Sequence, residues 1–314
     1  MQNIDNYFIF VARHLIMTIN TTFINLQTDF GFKRLFGSKE RSGILLRFIN
    51  ALFEGRMVIT HIEFHDKEIL PADVDGKKIV YDVYCTTDNG HHFILEMQQY
   101  DTPNFSKRIL FYTAQAIVNQ GRRGGNYGIQ PVYTVIITGF NLRQLSPRLV
   151  NEVILKERDS NEVYSEDMVL SFISLDKVRH QWNDCETELE RILFLIKNMH
   201  TMDKNSDAYR SKEYDELFDA SETSSLVAEE MVAYSQSYAR MEEDRAAIAY
   251  NAELSRQKGW AEGRAEGIKE GIKEGEYHAA VSIAYSMIAM GLDDATICKA
   301  TGLKNSVISS LRNK

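Results

Sequence analysis

The chain has 314 residues, 44% of them hydrophobic and 25% charged, with only 4 Pro, a globular composition large enough for one sizeable core and a second small module. A net charge of −8 excludes nucleic-acid binding by overall charge, so any such contact must come from local basic clusters. The three cysteines, Cys85, Cys185 and Cys298, lie far apart without CxxC spacing, which argues against a zinc site or disulfide framework and suits a reducing cytoplasm.

Residues 1–25 read as an N-terminal extension. Its apolar stretch YFIFVARHLIM is interrupted by Arg13 and His14 and follows no basic residue. It therefore fits neither a signal peptide nor a membrane span of about 20 apolar residues. Met17 is an alternative start, because the chain from there runs directly into the first patterned segment. In DFGFKRLFGSKERSGILLRFINALF the apolar residues follow helical spacing in two pieces, broken around Gly37–Ser38. VITHIEFHDKEIL reads as a strand, and PADVDGK supplies turn chemistry. A hairpin follows in IVYDVYCTTDNGHHFILEMQQY, then a helix in NFSKRILFYTAQAIVNQG closed by Gly121. PVYTVIITGF reads as a buried strand, MVLSFISL as a further strand and CETELERILFLIKNM as an amphipathic helix. Alternation of strands and helices to about residue 200 predicts an α/β fold with a mixed sheet flanked by helices.

Beyond residue 200 the composition changes. Residues 201–276 read as a charged helical linker ending in GWAEGRAEGIKEGIKEGE, with Gly259, Gly263, Gly267, Gly271 and Gly275 at every fourth position. Each Gly weakens a helix by about 1 kcal/mol relative to Ala, so this extended arm serves either as a solvated spacer or as a contact that pairs two copies of the chain. Residues 277–314 read as a small helical tail of three short helices. Gly291 ends the first, Asp293 or Asp294 caps the second, and Gly302 with Asn305 or Ser306 separates the third. That pattern resembles a helix-turn-helix and makes DNA contact there one option.

The hairpin carries the chemistry, and its register decides it. Glu96 and Gln98 share a face because side chains alternate along a strand. A two-residue Asn89-Gly90 loop would pair Asp82 with Met97 and put Asp82 on the opposite face. A three-residue Asp88-Asn89-Gly90 loop pairs Asp82 with Glu96 directly, and its residue order suits a type I turn followed by a left-handed Gly. Only the second register separates Val83, Cys85, Phe93, Leu95 and Met97 from Asp82, Tyr84, Thr86, His92, Ile94, Glu96 and Gln98. It puts two carboxylates about 5 Å apart. Such a pair repels unless a cation or proton lies between, and with water and a phosphate oxygen it suits Mg²⁺ or Mn²⁺. The other reading of the same pair is the solvated face of an ordinary hairpin, which the apolar neighbours disfavour.

Asp, a turn, then Glu-x-Gln resembles the PD-(D/E)XK nuclease core, with Gln98 where Lys is usual. TDFGFKRLFG, YDVYCTTDNGHHFILEMQQY, KRILFYTAQ and GGNY, in that order, resemble the Rpn group of recombination-promoting nucleases and transposases. The resemblance spans roughly residues 26–200, and the Gly-Glu repeat with its helical tail is similar to that group's C-termini. It implies a central mixed sheet flanked by helices and a Mg²⁺-dependent DNA endonuclease linked to recombination or transposition. By position, Asp82 and Glu96 would bind metal, Gln98 would orient the attacking water or scissile phosphate, and Asp29 would complete the metal shell. Tyr81 stands where the pattern has Pro. Gln98 lacks the usual positive charge but can donate two hydrogen bonds.

Lys33, Arg34, Lys107, Arg108, Arg122 and Arg123 are candidates either for phosphate contact or for plain surface charge, with Lys107–Arg108 the best pair, and Tyr112 one turn along reads either as facing the site or as a core tyrosine. His91 and His92 lack a partner at zinc spacing and read as structural or exposed. The alternative function is a catalytically inactive DNA-binding or oligomerising protein that keeps the nuclease fold. No small-molecule cofactor or membrane is expected.

Overall fold

Thr28 stands in extended backbone, and its Oγ1 accepts the Gly31 N–H at 3.0 Å, which starts helix α1 (Asp29–Phe36). After Gly37 and a 3-10 turn at Lys39–Arg41, helix α2 runs Ser42–Leu52, so the two-piece reading of this segment holds. The apolar stripes of the two helices meet through Phe36 on Phe48, ring centroids 5.0 Å apart, and within α1 Phe32 packs on Phe36 at 5.1 Å. This computed structural model describes residues 21–66, 68–69, 79–121, 128–202 and 211–313. The expected PADVDGK turn, Arg122 and Arg123 lie outside the described residues, as does the alternative start.

VITHIEFHDKEIL, expected as one strand, forms two short ones. Strand β1 (Ile62–Phe64) joins the main sheet, whereas β2 (Glu68–Ile69) pairs with β3 (Ile79–Val80) in a separate two-stranded ribbon. The chain leaves the sheet after the His65 N–H bonds to the Tyr84 carbonyl at 2.9 Å, just before the charged Asp66. Strands β4 (Val83–Thr87) and β5 (His92–Gln98) then form the hairpin. The Gly90 N–H bonds to the Thr87 carbonyl at 2.9 Å, and Gly90 has φ +81°, the left-handed conformation that the three-residue loop requires. Val83 pairs with Leu95 and Thr86 with His92, so the register is the three-residue one.

Helix α3 (Phe105–Val118) carries the chain across to β6 (Val132–Thr138), parallel to β5. The helix stops three residues before Gly121, whose N–H turns back to the Val118 carbonyl at 3.0 Å. Strand β8 (Val163–Ser174) runs parallel to β6 and begins well upstream of MVLSFISL. Along most of its length it also pairs antiparallel with β7 (Val150–Lys156), from Ile173 opposite Val150 to Val163 opposite Lys156, an edge strand that sequence patterning did not reveal because none of its side chains is buried. The six-stranded mixed sheet has the order β1-β4-β5-β6-β8-β7. Helix α4 (Glu188–Asn198) starts with a capping box, the Thr187 side chain taking the Glu190 N–H while the Glu190 carboxylate takes that of Thr187.

Both faces of the sheet are covered. On one, Val83, Cys85, Phe93, Leu95, Val135 and Ile137 pack with α1, α2 and α4. On the other, Tyr81, Ile94, Ile136, Leu170 and Phe172 pack with α3 through Phe105, Ile109 and Ala116. Hence the face that carries Glu96 is not the solvated side of a hairpin.

The first unit does not stop near residue 200. Helix α5 (Asp215–Ser221) buries Leu217, Phe218 and Ala220, and helix α6 (Ala228–Ala289) buries Tyr234, all in the same core as α1 and α2. The Tyr234 hydroxyl accepts the Asn25 N–H at 2.8 Å, and the Ile24 N–H reaches the Ser221 carbonyl at 2.8 Å. Arg34 is buried as well, donating to the Ala220 carbonyl and pairing with Glu230, which removes it from the phosphate-contact candidates. The first compact unit therefore extends to Asp244, and the second runs from Arg245 to Lys314.

In the second unit, the helix continues unbroken through the glycine repeat. A Cβ on any of those five glycines would meet nothing within 4 Å. The first expected tail helix is the end of α6, closed by Gly291 at φ +81°. Asp293 caps α7 (Asp294–Thr301), Gly302 at φ +71° ends it, and α8 (Asn305–Arg312) follows. Ala284, Ile297, Leu303 and Ile308 form this unit's small core. Among the described residues no helix is both long and apolar enough to cross a membrane.

Candidate active site

Asp82 immediately precedes β4, and continuing the register from Val83 and Leu95 sets it opposite Glu96. Two hydrogen bonds tie the pair across the hairpin. The Asp82 N–H donates to Glu96 Oε1 at 3.4 Å, and the Met97 N–H donates to Asp82 Oδ2 at 3.1 Å. Glu96 is only 8% exposed, on β5 between Leu95 and Met97. Burial, then the neighbouring Asp82 charge, push its carboxyl well above the ordinary range, against weaker pulls from the Asp82 N–H, Arg108 and Lys33. Burial likewise raises Asp82, opposed by the Met97 N–H and Lys33.

Helix α1 brings a cation to this pair. Lys33 Nζ lies 2.6 Å from Asp29 and 3.4 Å from Asp82 Oδ1. Burial pulls the ammonium down, but the two carboxylates outweigh that and hold it above its usual value. The helix is held in place by its tight entry, where a Cβ on Gly31 would stand 2.3 Å from the Asn25 carbonyl oxygen. Its free N-terminal amide on Phe30 is taken by Ser237 Oγ of α6 at 3.0 Å.

Asp82, Glu96, Gln98, Asp29, Lys33, Arg108 and Tyr112 all line one cleft of about 550 Å³. Its roles differ from those read in the sequence at three positions. Asp29 is paired with Lys33, and among the described residues no group of three or more Asp, Glu, His or Cys is placed to hold a metal. The Gln98 amide is engaged at both ends: Nε2 donates to the Tyr100 carbonyl at 2.9 Å and Oε1 accepts from Arg108. Gln98 thus positions Arg108, whose guanidinium also lies over the Phe105 ring. Lys107 is exposed on α3 and is not part of the cleft wall. Tyr112 does face the cleft, packing edge-on against Tyr81 at 5.7 Å, while the Tyr81 hydroxyl donates to its carbonyl. His92 bonds the Tyr84 hydroxyl through Nδ1, and the buried His91 Nδ1 has no partner.

Sequence reasoning missed a whole wall. Gln236, Ser237, Arg240, Met241 and Asp244 of α6 line the cleft, and the Tyr100 hydroxyl donates to the Met241 carbonyl at 3.2 Å. The only local signal was SYARM among charges, too weak to mark a buried face.

The donor set is all oxygen, two adjacent carboxylates open to a polar cleft. That fits Mg²⁺ or Mn²⁺, hard ions commonly held by one or two carboxylates with water and substrate phosphate completing the shell. A family model described as PD-(D/E)XK nuclease family transposase matches residues 26–251. No curated protein and no solved structure matches the chain.

Proposed function

The chain belongs to the PD-(D/E)XK nuclease family transposases, and from that premise we propose that it is a metal-dependent DNA endonuclease acting in recombination or transposition in the cytoplasm. The observation that supports this most is the Asp82–Glu96 pair, Glu96 buried and Asp82 half-buried, each carboxylate accepting a backbone N–H across the hairpin, with Lys33 and Arg108 in the same cleft. Burying two adjacent carboxylates is unfavourable unless a cation or a proton compensates.

Asp82 and Glu96 are the residues that would hold Mg²⁺ or Mn²⁺. When bound, such an ion acts as a Lewis acid that neutralises phosphoryl charge and acidifies water. In the reaction, water adds to phosphorus and one P–O ester bond breaks. The leaving oxygen takes up a proton to become an alcohol, and a phosphate monoester remains. Arg108, held by Gln98, and Tyr112 orient the substrate along the α3 wall, and exposed Lys107 serves a flanking phosphate.

One observation favours a catalytically inactive DNA-binding protein instead: the Gln98 amide is spent on Tyr100 and Arg108 and has no free end for water. Plasmid nicking by the full chain with Mg²⁺ separates the readings. The endonuclease reading expects metal-dependent nicks that Asp82→Asn and Glu96→Gln each abolish, with binding to DNA retained. Nicking at the wild-type rate by both variants would place the chemistry elsewhere.

A further inference from the structure

We propose that Lys33 is a catalytic residue, the ammonium that stabilises charge on the phosphate during cleavage, and that Asp29 is its positioning residue. This rests on the endonuclease reading above. Among the described residues three basic side chains line the cleft, Lys33, Arg108 and Arg240. Arg108 is committed to Gln98 and lies over Phe105. Arg240 comes from α6. Lys33 alone of the three makes an ion pair with a member of the carboxylate pair, at 3.4 Å from Asp82.

Charge in the cleft supports the same assignment. Among the described lining residues Asp29, Asp82, Glu96 and Asp244 face three cations, a formal charge of −1. A divalent ion makes it +1, and one phosphodiester then balances it. As water adds to phosphorus and the ester P–O bond lengthens, negative charge grows on the phosphoryl oxygens, and a cation fixed beforehand at that point stabilises it without reorganisation. Lys33 is so fixed. Its helix cannot slide, because Gly31 already sits against the Asn25 and Leu26 backbone, and Asp29 one turn earlier grips its ammonium at 2.6 Å. Lys33 neither gives nor takes a proton in this scheme.

A cation in that place also competes with a metal ion for Asp82. Removing it should therefore not weaken metal binding, whereas a lysine that merely holds the site together would on removal lower metal affinity along with the rate. Residue 98 lies on the same face as Glu96 and lines the same cleft, so a lysine there offers a second route for an ammonium to the phosphate.

The test compares the full chain with Lys33→Met, Asp29→Asn, Gln98→Lys and the double variant Lys33→Met/Gln98→Lys. It measures single-turnover plasmid nicking, DNA affinity and Mn²⁺ affinity by titration calorimetry without DNA. Lys33→Met should cut about 10²–10³-fold more slowly, bind DNA nearly as wild type, and bind Mn²⁺ at least as tightly. Asp29→Asn should slow cutting by a smaller factor and leave Mn²⁺ affinity unchanged. The double variant should recover at least tenfold of the lost rate, about the share expected of an ammonium reaching the phosphate from the other wall. A Lys33→Met rate close to wild type, a rate loss matched by lost Mn²⁺ affinity, or no rescue by Gln98→Lys would each overturn the assignment while leaving the endonuclease reading in place. A wild-type chain that binds Mn²⁺ but never cuts would overturn that reading, and the role of Lys33 with it.

Discussion

Glu96→Gln should make the metal-free protein more stable, not less. Gln keeps the oxygen that accepts the Asp82 N–H and nearly the same volume, so the substitution removes charge and little else. The hairpin register sets Asp82 and Glu96 directly opposite each other, which places their β-carbons about 5 Å apart. Two full charges at that distance repel by about 3 kcal/mol at an effective dielectric constant near 20. The Lys33 ion pair to Asp82 takes up part of that, so about 2 kcal/mol is the expected gain once both carboxylates are ionised. For a core of this size that is roughly 4–8 °C in Tm. The pH dependence has a definite sign. Burial and Asp82 raise the folded-state pKa of Glu96, so its protonated form contributes stability at low pH that is lost as pH rises through the folded value. Wild type and variant should melt together in acid, below the ordinary carboxylate range, and separate as pH climbs. Saturating Mg²⁺ should reverse the order, since ligand at 100 times its Kd adds about 2.7 kcal/mol to the protein that binds it. The assay is thermal melting by circular dichroism across pH, with EDTA or Mg²⁺. A variant that melts below wild type at pH 8 in EDTA would refute the claim that this pair is held under strain for a cation.

Two further outcomes follow from packing. Gly31→Ala should destabilise by about 1–3 kcal/mol, the usual result of overfilling a packed site, because the new methyl would sit 2.3 Å from the Asn25 oxygen and 2.9 Å from the Leu26 Cα, neither of which can yield. Nicking should fall further than stability explains, since α1 carries Lys33; a variant with wild-type Tm and rate would show the contact to be soft. A fragment ending near residue 205 should aggregate, whereas one ending at 251 should melt cooperatively, because Tyr214, Leu217, Phe218 and Tyr234 belong to the first core. Size-exclusion chromatography and melting check this, and a soluble, folded 205-residue fragment would contradict it.

The hairpin was legible because its determinants are local. An Asp-Asn-Gly turn, a period of two and the apolar set Val83, Cys85, Phe93 and Leu95 together select one register, and a slip of one residue would bury the wrong side chains. What covers the opposite face was not local information. Ile94 and Tyr84 hinted that it was not wet, but its cover is α3, whose Ala116 and Phe105 reach it only once the chain has turned back. Strand β7 escaped for the converse reason, since an edge strand with half-exposed side chains carries no buried period to detect.

The same division explains why the site was half visible. Asp82 and Glu96 are joined by one turn, so pattern and turn chemistry bring them together. Lys33 and Arg34 are adjacent and chemically alike in the sequence, yet about 100° apart around a helix they go to opposite fates. One reaches Asp82 in the cleft; the other is buried against Ala220 and Glu230 to hold α6 to the core. Nothing in FKRLF distinguishes them, because the distinction depends on groups some 50 and 190 residues away. The fixed cation and the α6 wall thus come from the same packing. Burying Arg34, Tyr234 and the Phe30 amide against the C-terminal segment sets the angle of α1, and that angle is what presents Lys33 to the carboxylate pair. A segment that composition assigns to a solvated arm is, in its first turns, part of what assembles the candidate active site.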